Sequence, residues 1–321
     1  MSSHRKTRRR WAWVGPAVTV VFVGLVGWLI ASRVRTIDWE QVGDALRSYH
    51  AGTLLLAAAL AALSYTLYMG YDLLGRRYTH HAVPPRRVGA IAFVTYAFNL
   101  NFGAWIGSVG MRYRLYTKHG LKPGVIARVL GMSLVTNWLG FLALGGMVFL
   151  LRLVPLPAGW RLGADGLQLV GLLMLGAAFA YLGMCAISRR RSWRLRGTEI
   201  HLPPLNMALV QLCLSMANWI VMAVILFVLL QQRVPIHATL AVLLIASIAG
   251  VITHIPAGLG VIEAVFVALL APKVPEATLL AALFAYRAIY YLGPCALALA
   301  TYLTLEHHFR QARLNRPAHS H

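Results

Sequence analysis

The chain is 321 residues long, 59% hydrophobic and only 12% charged, with a mean hydropathy of +0.66. Long apolar runs recur along its whole length, which excludes a soluble globular domain and leaves one polytopic membrane domain over residues 1–321. The net charge is +21, from 30 Lys and Arg against 9 Asp and Glu, but the basic residues sit in short clusters at the ends of apolar spans, pointing to topology and anionic headgroups rather than nucleic acid.

Arg5, Lys6 and Arg8 to Arg10 precede an apolar stretch from Val14 to Ser32. The stretch mimics a signal peptide, yet it is long and lacks a small-x-small cleavage site, so an uncleaved first crossing is expected at about 14–32. Residues 33–50 place Ile37, Trp39, Val42, Ala45 and Leu46 at mostly helical spacing beside Asp38, Glu40 and Asp44, the pattern of a short interfacial helix. Five further crossings are predicted at about 52–74, 125–151, 166–188, 204–231 and 277–304, giving an all-α integral membrane fold. The tail from Glu306 is polar.

Two apolar segments, 88–111 and 238–271, are ambiguous; the first is 24 residues without charge and on that ground alone reads as a plain crossing. Residues 238–271 hold only His254 and Glu263 as ionisable groups and break at Ile255-Pro256-Ala257-Gly258-Leu259-Gly260. They are too long for one crossing and too short for two plus a turn, which needs about 40 residues. A re-entrant hairpin fits. Charge settles the other segment. If 88–111 also dives and returns from the inside, the inner segments hold 21 Lys and Arg and the outer ones 7. If it crosses, that bias vanishes. The positive-inside rule therefore predicts two opposed hairpins with both termini cytoplasmic. Residues 52–151 and 204–304 then read as inverted copies, a transporter architecture with broken helices near the midplane.

Glu263 and Arg287 lie furthest from any interface. Counted at 1.5 Å per residue, they sit at similar depths of about 12 and 15 Å below the outer face. Each alone costs about 2.5–3.5 kcal/mol or more in lipid, so they are expected to pair or to face a wet cavity. Gly258 and Gly260 open the outgoing limb, where free N–H groups attract an anion such as phosphate; a tight turn demanding glycine accounts for them equally well. Pro256 ends the incoming limb. His254 is either a titrating group or a hydrogen-bonded structural residue.

The first hairpin offers Asn99 and Asn101 at its tip, then Gly103, Gly107, Gly110, Arg112 and Arg114. The asparagines suit broken backbone groups, and Arg112 is the favoured cytoplasmic receiver of a phosphate because its fork binds two oxygens. Arg128 lies near a span end and can snorkel. Asn137-Trp138 and Asn218-Trp219 recur at mid-span and suit hydrogen bonding across helices. Tyr65, Tyr68 and Asp72 share a face toward the inner surface, lining either an entry or an aromatic belt. Cys185, Cys213 and Cys295 fall within apolar spans without C-x-x-C spacing and read as packing residues, not as metal ligands.

The sequence has no Walker loop, no H-E-x-x-H and no G-x-S-x-G, and no pairing of nucleophile with base. An enzyme is not expected, nor is a cofactor. Several stretches carry a family likeness: Tyr96 to Leu100, Gly110 to Leu115, Thr136 to Gly140, His254 to Gly258 through Glu263, and Ala285 to Arg287. Over nearly the whole chain these resemble the lysylphosphatidylglycerol synthase transmembrane region family, whose most specific motif, P-x-G-x-G-x-x-E, is matched by Pro256, Gly258, Gly260 and Glu263. The resemblance implies a flippase-type domain of the bacterial inner membrane that moves or binds anionic phospholipid. The larger relatives add a soluble aminoacyl-transferase domain that is absent here, so lipid aminoacylation is not implied. Many relatives carry an acid after the first hairpin's glycine, where Met111 follows Gly110, which argues against a two-carboxylate mechanism. Two other classes stay open: a non-transporting scaffold for a lipid-synthesis enzyme, and a small-solute secondary transporter, which needs a polar central cavity that the sequence does not display.

Overall fold

A computed structural model describes residues 39–154, 163–188, 192–195, 198–253, 255 and 258–314. The predicted first crossing at 14–32, His254 and Pro256 lie outside them. Proline punctuates the helices, sitting at the first helical position, where its missing N–H costs nothing. The short helix α1 (Trp39–Arg47) precedes α2 (Ala51–Thr79), which stops at His80 in a left-handed conformation. Then follow α3 (Pro85–Phe102), a π-helical segment Ala104–Gly110, α4 (Met111–Lys118), α5 (Pro123–Leu150) and α6 (Gly163–Ile187). The loop after α6 contains a β-hairpin, β1 (Ser192–Leu195) paired antiparallel with β2 (Thr198–His201), that nothing in the hydropathy announced. The rest is helical: α7 (Leu205–Leu229), α8 (Ile236–Thr253), α9 (Val261–Leu270), α10 (Glu276–Tyr286), a second π segment Arg287–Leu292, and α11 (Gly293–Leu314).

Among the described residues, six helical stretches are long and apolar enough to cross a membrane. Five coincide with predicted crossings: α2, α5, α6, α7 and the continuous run Glu276–His307. The sixth, α8, is the incoming limb of the predicted second hairpin. At about 27 Å, α8 approaches the thickness of a bilayer core, whereas α9, at about 15 Å, cannot span one. The protein is an all-α integral membrane protein. Helix α2 lies at its centre, packed on α3, α5 and α7, while α6 packs mainly on α5.

The chain doubles back twice. At Gly103 (φ +83°) α3 ends, and the π segment folds against it so closely that a Cβ on Gly107 would lie 2.2 Å from the Phe98 carbonyl carbon and the Asn99 nitrogen. Residues from both ends of this stretch, among them Thr79, Pro84 and Arg87 on one side and Lys118, Lys122 and Val125 on the other, line one cleft. In the second reversal α8 packs against α9. Its turn uses positive φ at Gly258 (+56°) and Gly260 (+77°), a conformation that favours glycine.

Candidate functional site

The second reversal and the crossing after it build an ion pair. Glu263 stands in the first turn of α9, and Arg287 follows the last residue of α10. The Arg287 guanidinium donates from Nε to Glu263 Oε1 at 2.5 Å and from Nη2 to Oε2 at 3.0 Å, a fork-on-fork contact. Nη2 also donates to the Gly258 carbonyl at 3.1 Å, fastening the guanidinium to the turn itself. The Tyr291 ring lies 5.4 Å from the guanidinium carbon. Only 12% of the Arg287 side chain and 14% of that of Glu263 are exposed. The two groups matched in depth by residue counting thus meet.

The first reversal builds a second pair, which residue-by-residue reading missed. Arg112 and Asp72 are both wholly buried. Arg112 donates from Nη2 to Asp72 Oδ1 at 2.8 Å and from Nε to Oδ2 at 3.1 Å. Its remaining donors reach Ser108 Oγ and, at 3.2 Å, Ser133 Oγ, while Tyr116 donates to Asp72 Oδ2 at 3.0 Å. Arg112 therefore does not reach an inner surface as a phosphate receiver here; its fork is occupied by protein. Arg114 is exposed, 3.8 Å from Glu306 and with its guanidinium 5.5 Å from the Tyr302 ring.

Between the pairs runs a band of buried hydroxyls. Ser64 Oγ donates to Asn218 Oδ1 at 2.6 Å. Its single proton is thereby used, so the 2.6 Å contact with Tyr290 has Tyr290 as donor, and the 2.9 Å contact between Tyr96 and Tyr290 then has Tyr96 as donor. Tyr65 donates to the Tyr290 carbonyl at 3.1 Å. Asn101 Nδ2 donates to the Tyr291 carbonyl at 3.2 Å, tying the tip of the first reversal to the π segment opened by Arg287. These acceptors lie in that π segment, whose irregular turn presents its carbonyls to other elements.

Tyr65, Tyr68 and Asp72 are buried, so the aromatic-belt reading does not hold. Tyr68 instead stacks on Tyr96, with ring centroids 3.6 Å apart. Asn218 joins helices as expected, whereas at Asn137 it is the backbone carbonyl that accepts from Ser215 and Trp219. Asn99 is half-buried and its carbonyl accepts the Gly103 N–H. The Tyr286 hydroxyl is buried without a hydrogen-bond partner. A polar interior is thus present, supplied by tyrosines that hydropathy counts as apolar.

Tyr290→Phe removes the donor to Ser64 and the acceptor for Tyr96. It is expected to cost about 1–3 kcal/mol, because the Tyr96 hydroxyl is left buried and unpaired. Thermal unfolding in detergent measures this; Leu292→Ala, at an exposed apolar position, is the matched control.

The sequence profile described as the lysylphosphatidylglycerol synthase TM region matches residues 13–298. The chain is 41% identical over 314 residues to the inner membrane protein YbhN of Escherichia coli, covering 98% of this chain and 99% of that one. It is 29% identical over 300 residues to the uncharacterized protein slr0712 of Synechocystis, covering 92% of each. It is also 22% identical over 290 residues to a phosphatidylglycerol lysyltransferase of Staphylococcus haemolyticus, covering 87% of this chain but 32% of that larger one. With a family match over most of its length and a relative similar from end to end, the chain belongs to the lysylphosphatidylglycerol synthase transmembrane-region family.

Proposed function

We propose that this is a multi-pass protein of the bacterial inner membrane that binds and translocates anionic phospholipid, with the Glu263–Arg287 pair as the gate met by the headgroup. The observation that carries the reading is the forked contact of Arg287 with both Glu263 and the Gly258 carbonyl, at a backbone break among apolar helices. An arginine held by a carboxylate at depth is the group a phosphodiester can capture, since both anions fit the same fork. Phosphate displaces Glu263 from the guanidinium, and the loosened turn at Gly258 and Gly260 lets the headgroup pass while its acyl chains stay in hydrocarbon. The two reversals act as opposed re-entrant hairpins in this scheme, and the names of the inner-membrane and lysyltransferase relatives agree with the compartment and the lipid class.

The test is movement of fluorescent phosphatidylglycerol across reconstituted liposomes. Arg287→Ala and Glu263→Gln are expected to slow it on the order of tenfold or more, the worth of one charge-assisted hydrogen bond. Equal movement in wild type and both variants would remove the pair from the mechanism, and movement no faster than in protein-free liposomes would leave the non-transporting scaffold as the better reading.

A further inference from the structure

The inner end of the first reversal holds a cleft that the gate does not use. Its volume is about 710 Å³, and its lining includes His81, Pro84, Arg87, Lys118, His119 and Lys122, with no carboxylate. We propose that this cleft is a separate binding site for a phosphoryl anion. Arg87 and Lys122 are exposed, and no described carboxylate pairs with either. Lys118 is partly neutralised by its ion pair with Glu306. The charge available to a ligand therefore comes from Arg87 and Lys122, one on each wall.

Backbone and imidazole add to that charge. Helix α3 starts after Pro84 and α5 after Lys122, and neither start is capped by a side chain. Two helix N-termini, of 18- and 28-residue helices, thus open at one cleft, and their partial positive charge adds to that of the side chains. His81 supplies the observation that asks for an acceptor. Its Nδ1 accepts the Val83 N–H at 3.3 Å, so a proton on the ring belongs on Nε2, and that buried Nε2 meets no hydrogen-bond partner. Burial, then Arg76, push the His81 pKa down, so the ring is neutral at neutral pH and Nε2–H is a donor without an acceptor. A phosphoryl anion in the cleft meets the Arg87 guanidinium and the Lys122 ammonium, with the two helix starts adding to the positive field.

The site is distinct from the gate. Arg87 begins α3 and Asn101, which touches the Tyr291 carbonyl, ends it; the 14 intervening steps at 1.5 Å put about 21 Å between them. The same chemistry arrives either on a phospholipid headgroup or as free phosphate, and the experiment separates the two. Full-length protein in phosphatidylcholine nanodiscs, with and without phosphatidylglycerol, is acylated at lysine in the presence or absence of 10 mM inorganic phosphate, and Lys122 labelling is read by mass spectrometry. Native mass spectrometry of the same samples counts retained phosphatidylglycerol.

Lys122 is expected to be protected in wild type by phosphatidylglycerol. Arg87→Gln combined with Lys122→Gln is expected to lower retained lipid about tenfold, since each cation near an anionic headgroup contributes substantially. Arg87→Lys keeps the lipid, and Arg47→Gln, an exposed cation outside both sites, leaves this retention unchanged. Protection by inorganic phosphate that is abolished by Arg87→Gln supports the same site with a soluble ligand. If neither anion protects Lys122, or if protection by either anion survives Arg87→Gln, the site is refuted. Both replaced residues are exposed, and an unchanged thermal unfolding midpoint shows that loss of binding is not loss of fold.

Discussion

Arg112→Ala is expected to destabilise the protein by about 3–5 kcal/mol, enough to remove most of the folded material from a detergent extract. The reason is the stranded acid. Asp72 is wholly buried, and its two oxygens receive two donors from Arg112 and one from Tyr116. Truncation leaves one neutral phenol to support a buried carboxylate and opens space where the largest fully buried side chain stood. Replacing both partners by apolar residues of similar size, Asp72→Leu with Arg112→Met, removes the charges together and is expected to recover most of the loss. Thermal unfolding and size-exclusion profiles of the single and double variants measure this. A double variant no more stable than the single one would show that Ser108, Ser133 and Tyr116, rather than the ionic contact, set the cost.

Gly107→Ala is expected to be comparably damaging, for a steric reason. The added methyl would meet the Phe98 carbonyl carbon at 2.2 Å and its oxygen at 2.4 Å. These are backbone atoms within a packed helix and cannot swing aside as a side-chain tip can. The cost should reach or exceed the about 1–3 kcal/mol of ordinary overpacking, paid by separation of the two limbs. Gly110→Ala, three residues on, brings its methyl only to 3.3 Å from the Trp105 carbonyl oxygen and is the control. A Gly107→Ala protein that unfolds at the wild-type temperature would mean that the limbs do not touch backbone to backbone.

The crossings were legible because an apolar run of bilayer length has few alternative explanations. The Glu263–Arg287 contact was legible because residue counting put two charges within apolar segments at similar depths, where pairing is one of two ways to relieve their cost. The same logic should have reached Asp72, but Arg76 lies one turn away on the same helix and offered a local partner. Arg76 instead donates to the Val83 carbonyl at the end of the loop, which leaves the acid for an arginine 40 residues on. Hydropathy hid the hydroxyl band, since Tyr65, Tyr96 and Tyr290 each bring an apolar ring and one polar atom to the core. The π segments at 104–110 and 287–292 had no compositional mark; irregular turns of this kind are set by what their carbonyls and side chains meet. Along the first reversal, the charge balance pointed to a fold-back with Asn99 and Asn101 at its tip, while the close approach of Gly107 to Phe98 needed the packed structure.

The buried acid also sets an order of events during synthesis. Asp72 leaves the ribosome 40 residues ahead of Arg112. At about 5–20 residues per second, that is a wait of roughly 2–8 s with a carboxylate on a newly inserted helix and no cation to meet it. Nascent chains arrested before residue 112 therefore carry α2 with its carboxylate not yet met by Arg112. The pair can close only once the returning limb delivers its arginine.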